Sequence, residues 1–308
     1  MIISASRRTD IPCFYSEWFL NRLKEGYALA PNPRNANRLG RVGLSPENVD
    51  CIVFWTKNPE PMLEKLPLID ALGYTYYFLF TVTAYGREIE PNLPDKQAVV
   101  DTFKRLSDKI GPEAVDWRFD PILKNDRFSA EWTAERFAWL CGQLHDYTER
   151  CIISFVDEYA HTRNQAYVPD ESGMHEIAGL ISEVARQYRL RVFSCAETID
   201  LSGVGIGHSS CIDRRKIEQL TGIRIEAKKD KGQRPECRCI ESVDVGAYDT
   251  CGNGCTYCYA RTGEKTLRRR MAEHDPRSPL LTGFPKGTET VTDRTAPSQK
   301  ISQLSLFE

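Results

Sequence analysis

Apolar runs of strand length punctuate the first two-thirds of the chain: "MIISAS" (1–6), "DCIVFWT" (50–56), "YTYYFLFTVT" (74–83), "AVDWRF" (114–119), "RCIISFV" (150–156) and "LRVFSC" (190–195). They are short and rich in β-branched and aromatic residues, which predicts buried strands. Between them, apolar positions recur at helical spacing over 14–25, 60–70, 95–110, 129–146 and 172–188. Ser129 precedes "AEWTAERFAWL" and Pro94-Asp95 precedes "KQAVVDTFKRLSDKI", both of them helix-start signals. Strands alternating with such helices predict βαβ units and a parallel sheet. Six repeats predict an α/β fold built as a parallel (β/α) barrel or part-barrel. The polar stretch 26–49, rich in Pro and Asn, reads as an extended functional loop.

Beyond residue 198 the rhythm breaks. Residues 199–240 are irregular and bring in cysteines, "IESVDVGAYDT" (240–250) alternates like a further strand, and 256–274 reads as a helix. Residues 275–308 lack periodicity and read as a flexible tail. The expected organisation is therefore β/α repeats over 1–198, a cysteine-rich region over 199–274 that completes the barrel, and a tail over 275–308.

The composition, 41% hydrophobic and 27% charged, is that of a globular chain, and 308 residues suffice for a sizeable core. A net charge of −2 excludes a polycation that coats nucleic acid, so any such contact is local. The N-terminus has no apolar signal-peptide core and no run reaches membrane-span length, so the expected location is the cytoplasm.

Polar residues gather directly after the strands, in "SRRTD", "WTKNP", "TAYGRE", "RFDP", "VDEY" and "CAET". In a parallel βα fold those ends share one face, where sites are built. Arg7, Arg8 and Asp10, Lys57 with Asn58, and Arg118 with Asp120 are therefore candidates to clamp a phosphate or carboxylate. The competing reading is a salt-bridge network that includes Asp120 or Asp157. His161 is a candidate proton donor, more simply read as a solvated loop residue, and "LRRRM" (267–271) is either a phosphate contact or a solvated helix face.

Eleven cysteines are many for a reducing compartment. Cys13, Cys51, Cys141 and Cys151 are scattered among apolar neighbours and read as small buried hydrophobes. The other seven crowd into 195–258. Cys251, Cys255 and Cys258 form C-x₃-C-x₂-C in "DTCGNGCTYCYA", a pattern that holds three corners of a [4Fe–4S] cube and leaves one iron open. Gly252 and Gly254 permit the tight turn, and Tyr257 flanks the third thiol. Zinc is the alternative for this loop; the spacing and glycines favour iron–sulfur. Cys195, Cys211, Cys237 and Cys239 supply the number for a second [4Fe–4S] cluster, the favoured reading, or for a closed zinc site.

The runs "IISASRRTDIPCFYSEWF", "VFWTKNP", "WRFDPI", "SFVDEY" and "CRCIESVDVGAYDTCGNGCTYCYA" closely resemble the bacterial family called domain of unknown function 1848. That family's C-terminal cysteine cluster is similar to the N-terminal cluster of radical S-adenosylmethionine enzymes, and "GCTYCYA" resembles the motif of spore photoproduct lyase. Cys13 departs from the small residue the resemblance implies there. The resemblance implies a circularly permuted radical barrel, with the strand 240–250 beside the first strand. It also implies S-adenosylmethionine as cofactor, with Glu197 at its amino group, and a nucleic-acid or nucleotide substrate. A metal-stabilised nucleic-acid-binding or adaptor module, or a radical enzyme modifying a peptide or metabolite, are the alternatives. Finally, Gln303, Leu304, Leu306 and Phe307 in "QLSLFE" resemble the peptide by which bacterial repair proteins dock on the DNA sliding clamp.

Overall fold

The computed structural model describes residues 1–32, 35–159 and 167–301. In chain order its strands are β1 (Ile2–Ala5), β2 (Tyr27–Asn32), β3 (Asn35–Gly43), β4 (Cys51–Thr56), β5 (Tyr76–Thr81), β6 (Val115–Ile122), β7 (Arg150–Phe155), β8 (Arg191–Cys195), β9 (Gly207–Ser209), β10 (Val243–Asp244) and β11 (Thr290–Asp293). The helices are α1 (Ile11–Phe14), α2 (Ser16–Glu25), α3 (Glu60–Leu63), α4 (Leu66–Ala71), α5 (Lys96–Ile110), α6 (Ala130–Leu144), α7 (Glu171–Gln187), α8 (Arg214–Thr221) and α9 (Glu264–Ala272). The long helices start where their caps say. Asp95, Ser129 and Asp170 accept from the backbone N–H three residues on, at 3.0, 3.2 and 2.9 Å.

Eight strands make one all-parallel sheet in the order β10-β1-β4-β5-β6-β7-β8-β9. Among the described residues β9 and β10 do not pair, so the sheet stays open and is compatible with a part-barrel rather than a closed one. The period of two sends alternate side chains to opposite faces. Ile3, Phe54, Phe78, Trp117 and Ile153 pack with helix residues such as Phe19, Phe103, Phe137 and Ile181. On the other face, Ile2, Val53, Leu79 and Ile152 are covered by Ile212, Ile217, Ile225 and Ile240, so the irregular region after β9 is the lid of the second face.

The strand expected beside the first one forms there: Val243 pairs with Ile3 and Asp244 with Ser4. It is only two residues long because the Asp244 carboxylate diverts the chain, accepting from Ser4 Oγ at 3.0 Å, Ser6 Oγ at 2.7 Å and Arg7 N at 3.0 Å.

Three expectations give way. The stretch 26–49 is not an extended loop but a hairpin of β2 and β3. Its Pro31 lies on the edge strand β2, where a missing N–H is tolerated. Residues 256–263 are turns, and the helix begins only at Glu264. Asp249 holds this approach open by accepting from Thr262 Oγ1 at 2.7 Å and Gly263 N at 3.2 Å. Residues 275–301, expected as a tail, are packed on the body. Trp18 Nε1 donates to the Ser278 carbonyl at 2.9 Å, β11 pairs with β3, and buried Asp50 accepts from Gln299 N at 2.7 Å while pairing with the N-terminal ammonium at 2.6 Å. Short segments between Pro and Gly have no period to read, and their partners lie far away in sequence.

Candidate functional site: two cysteine sets at the mouth of the sheet

The three-cysteine loop is stitched to the C-terminal ends of β1 and β4. Thr9 Oγ1 donates to the Ala247 carbonyl at 2.8 Å and Tyr15 donates to the Thr250 carbonyl at 2.6 Å. Asp10, fully buried, accepts from Thr56 Oγ1 and Lys57 N at 2.7 Å and from Asn253 Nδ2 at 2.9 Å, and it caps α1 through Cys13 N. Burial raises the Asp10 pKa, against the lowering by these donors. Asp10 thus ties the strand ends to the loop.

Within the loop, Gly254 has φ +73° and sits where a Cβ would lie 2.9 Å from Asn92 Nδ2. Gly252 is equally confined by Phe14, at 2.9 Å from a would-be Cβ, and its carbonyl accepts from Asn92 Nδ2 at 2.8 Å. Cys255 is buried, whereas Cys251 and Cys258 are partly exposed. Burial pushes the Cys255 thiol up to about 12, opposed by the Lys57 ammonium. Burial also raises Cys251, reinforced by Asp10 and then by the charges of Cys255 and Cys258. Thr256 Oγ1 is buried with no hydrogen-bond partner among the described residues.

Beneath the loop lies a charged knot that the sequence did not announce. Glu90, 2% exposed, accepts from Lys57 Nζ at 2.7 Å, Lys96 Nζ at 3.1 Å, Thr83 Oγ1 at 2.8 Å and Tyr257 OH at 2.5 Å. Burial alone would raise its pKa, but Lys57 and Lys96 bring it down to about 2. Lys57 also sits over the Tyr257 ring, 5.5 Å from its centroid. Tyr257, which flanks the third thiol, donates its hydroxyl to Glu90.

The second set gathers on the face of the sheet that the segment after β9 covers. Cys195 ends β8, Cys211 follows β9, and Cys237 and Cys239 lie in the covering segment; all four are buried. Cys195 and Cys211 have their sulfurs 3.3 Å apart, and Cys237 and Cys239 are buried in the same cluster. Cys239 Sγ also accepts from Ile212 N at 3.3 Å. Trp55 stands beside this group between two guanidiniums, with Arg7 5.3 Å and Arg118 4.8 Å from its ring. Burial works to lower the pKa of Arg7, but Cys239 and Asp244 raise it. Among the described residues no three His, Cys, Asp or Glu side chains are arranged at metal-holding spacing; the sulfurs of Cys195 and Cys211 are in contact instead.

The other expected residues divide. Arg118 pairs with Asp120, which also receives Ser154 Oγ. Asp157 takes Arg234 at 2.7 Å through both oxygens. Glu197 accepts from Phe155 N at 2.8 Å and is raised to about 6 by burial. Arg8 lies over Tyr248, 5.2 Å from its ring, and Asn58 serves locally, accepting from Glu60 N at 3.3 Å. The run 267–271 is largely a solvated face: Arg268 and Arg269 pair along α9 with Glu264 and Glu273. His161 and the peptide Gln303–Phe307 lie outside the described residues. Glu90, Trp55 and Asn92 were missed. "TAYGRE" stops two residues short of Glu90, and nothing local marks a glutamate as buried.

A separate cavity of about 540 Å³ is lined by Arg150, Arg191, Arg214, Arg215, Lys216 and Arg238 together with Glu149 and Asp213, which pair with Arg191, Lys216 and Arg150. Among the described residues no helix is long and apolar enough to cross a membrane.

Comparison with curated proteins finds no match. Among solved structures the chain is similar to a crystal structure from Bacteroides thetaiotaomicron described as a "putative alpha-L-fucosidase", at 11% identity over 58% of this chain and 73% of that one. The TM-score of 0.26 is too low to carry any argument. The family profile called domain of unknown function DUF1848 matches residues 2–260, from β1 through both cysteine sets, and the chain belongs to that family.

Proposed function

We propose that the chain is a radical S-adenosylmethionine-type enzyme whose [4Fe–4S] cluster is held by Cys251, Cys255 and Cys258. The observation that supports this most is the placement of the loop. It follows β10, hangs beside the C-terminal end of β1, and meets the strand-end residues Thr9, Asp10 and Lys57. The donor set suits the group: three thiols on one glycine turn, an ammonium that favours thiolate at Cys255, and the unpartnered Thr256 hydroxyl. When bound, a three-thiolate cluster supplies an open iron for S-adenosylmethionine and an electron for its sulfonium. The chain's own contribution is to fix the loop through Asp10, Asn92 and Asn253 and to balance thiolate charge with Lys57. Glu197, protonated more readily than an ordinary carboxyl, stands at the end of β8, where it accepts from Phe155 N.

The substrate we assign is nucleic acid or a nucleotide, because the mouth carries Arg7 and Arg118 and the sequence ends in a clamp-binding-like peptide. Protein purified anaerobically should contain iron and acid-labile sulfide, and with dithionite and S-adenosylmethionine should release 5′-deoxyadenosine. Triple replacement of Cys251, Cys255 and Cys258 by Ala should abolish release, and Cys141→Ala should not. Protein with a full cluster that cleaves no cofactor, even with DNA present, would refute the reading.

A further inference from the structure

We propose that Cys195, Cys211, Cys237 and Cys239 bind a single zinc ion as a closed tetrathiolate site, rather than a second iron–sulfur cluster. This goes beyond the radical reading and does not depend on it. The first argument is size. Thiolates around one zinc at 2.3 Å stand about 3.8 Å apart, so sulfurs already in contact need only a small opening. Thiolates at the corners of a [4Fe–4S] cube stand about 6 Å apart, because four irons and four sulfides lie between them. Here Cys195 and Cys211 are 3.3 Å apart, Cys239 Sγ lies 3.3 Å from the backbone N of Ile212 next to Cys211, and all four cysteines share one buried cluster. To admit a cube, three separate segments would have to move apart inside a packed core that includes Ile212, Ile225 and Ile240.

The second argument is charge and hydrogen bonding around the sulfurs. A zinc with four thiolates carries a net charge of −2, which in a buried place needs cations and N–H donors. Arg7 and Arg118 flank the Trp55 ring, which packs against the cluster that holds the four cysteines. Three buried donors at this spot, Arg7 Nη2, Arg118 Nε and Trp55 Nε1, have no hydrogen-bond partner. Thiolate sulfurs are the acceptors that would satisfy them, as Cys239 Sγ already does for Ile212 N. All four cysteines are buried, at most 6% exposed, which leaves no position open for substrate and marks the site as structural. Its role would be to clamp the covering segment, which has little regular structure between β9 and β10, onto the end of β8.

The test uses the full-length chain with Cys251, Cys255 and Cys258 replaced by Ala, so that the first loop holds no metal. The expected result is about one zinc per chain, without iron or acid-labile sulfide; a cobalt-substituted sample should show the absorption of a tetrahedral tetrathiolate. Adding Cys239→Ser should remove the zinc. Should that variant fold poorly, Arg7→Gln should weaken zinc retention against a chelator about 10- to 100-fold while the fold stays intact. Iron and sulfide at about four each in the triple variant would overturn the proposal in favour of a cluster. One iron without sulfide would overturn the choice of zinc, and absence of any metal after zinc is supplied would overturn the site. Loss of iron in the unmodified chain would count against the radical reading alone.

Discussion

With Lys57 and Lys96 on one side and Tyr257 on the other, the Glu90 carboxylate holds two buried ammonium groups under the cysteine loop. Glu90→Gln removes the charge and leaves both lysines uncompensated, so it should cost about 3–5 kcal/mol in urea unfolding. Lys57→Met should cost less, because Lys96 remains 3.1 Å from Glu90. The pH dependence has a definite sign. The folded pKa of Glu90 lies below its unfolded value, so its contribution is full above the ordinary glutamate range and fades as pH falls from there to about 2. The unmodified chain should therefore lose stability across that acid window, and the Glu90→Gln variant should lose measurably less there.

At the scale of elements, the turn carrying the thiols depends on backbone that only glycine adopts without strain. Gly254→Ala puts a Cβ at φ +73° and 2.9 Å from Asn92 Nδ2. It should cost about 1–2 kcal/mol and lower the iron retained per chain. Gly203→Ala, an exposed position where a Cβ meets nothing within 4 Å, is the matched control and should leave both unchanged. The same contrast explains what could be read in advance. Helices α5, α6 and α7 announce themselves by amphipathic period and cap residues, and Gly254 by its place between close cysteines. Glu90, Trp55 and Asn92 carry no local mark, because their role arises only when β4, the loop after β5 and the cysteine loop meet. The hairpin of β2 and β3 was hidden for a similar reason: its buried Leu39 and Val42 are diluted by Asn, Arg and Pro, and its third strand lies some 250 residues away at β11.

For the molecule as a whole, the C-terminal segment decides how far any terminal peptide can reach. Residues 299–301 are fixed on the covering segment, with Glu226 N donating to the Gln299 carbonyl at 2.8 Å and Ile301 N to the Arg224 carbonyl at 2.9 Å. A chain ending at residue 285 loses β11 and the Asp50 contacts of Ser298 and Gln299, and should melt at least about 4 °C lower. A chain ending at 301 keeps every described contact and should melt as the full chain does. Six residues lead from Ile301 to Phe307, and even fully extended they span about 20 Å. A sliding clamp held by Gln303, Leu304, Leu306 and Phe307 would therefore sit against the protein near residues 224–226, not at the end of a long tether. The full chain and a peptide of residues 299–308 should both bind the bacterial clamp, and Leu306→Ala with Phe307→Ala should remove binding without changing the melting temperature. If neither binds at high micromolar concentration, the clamp contact is wrong and the nucleic-acid assignment loses its strongest sequence support, while the metal assignments stand on their own analyses.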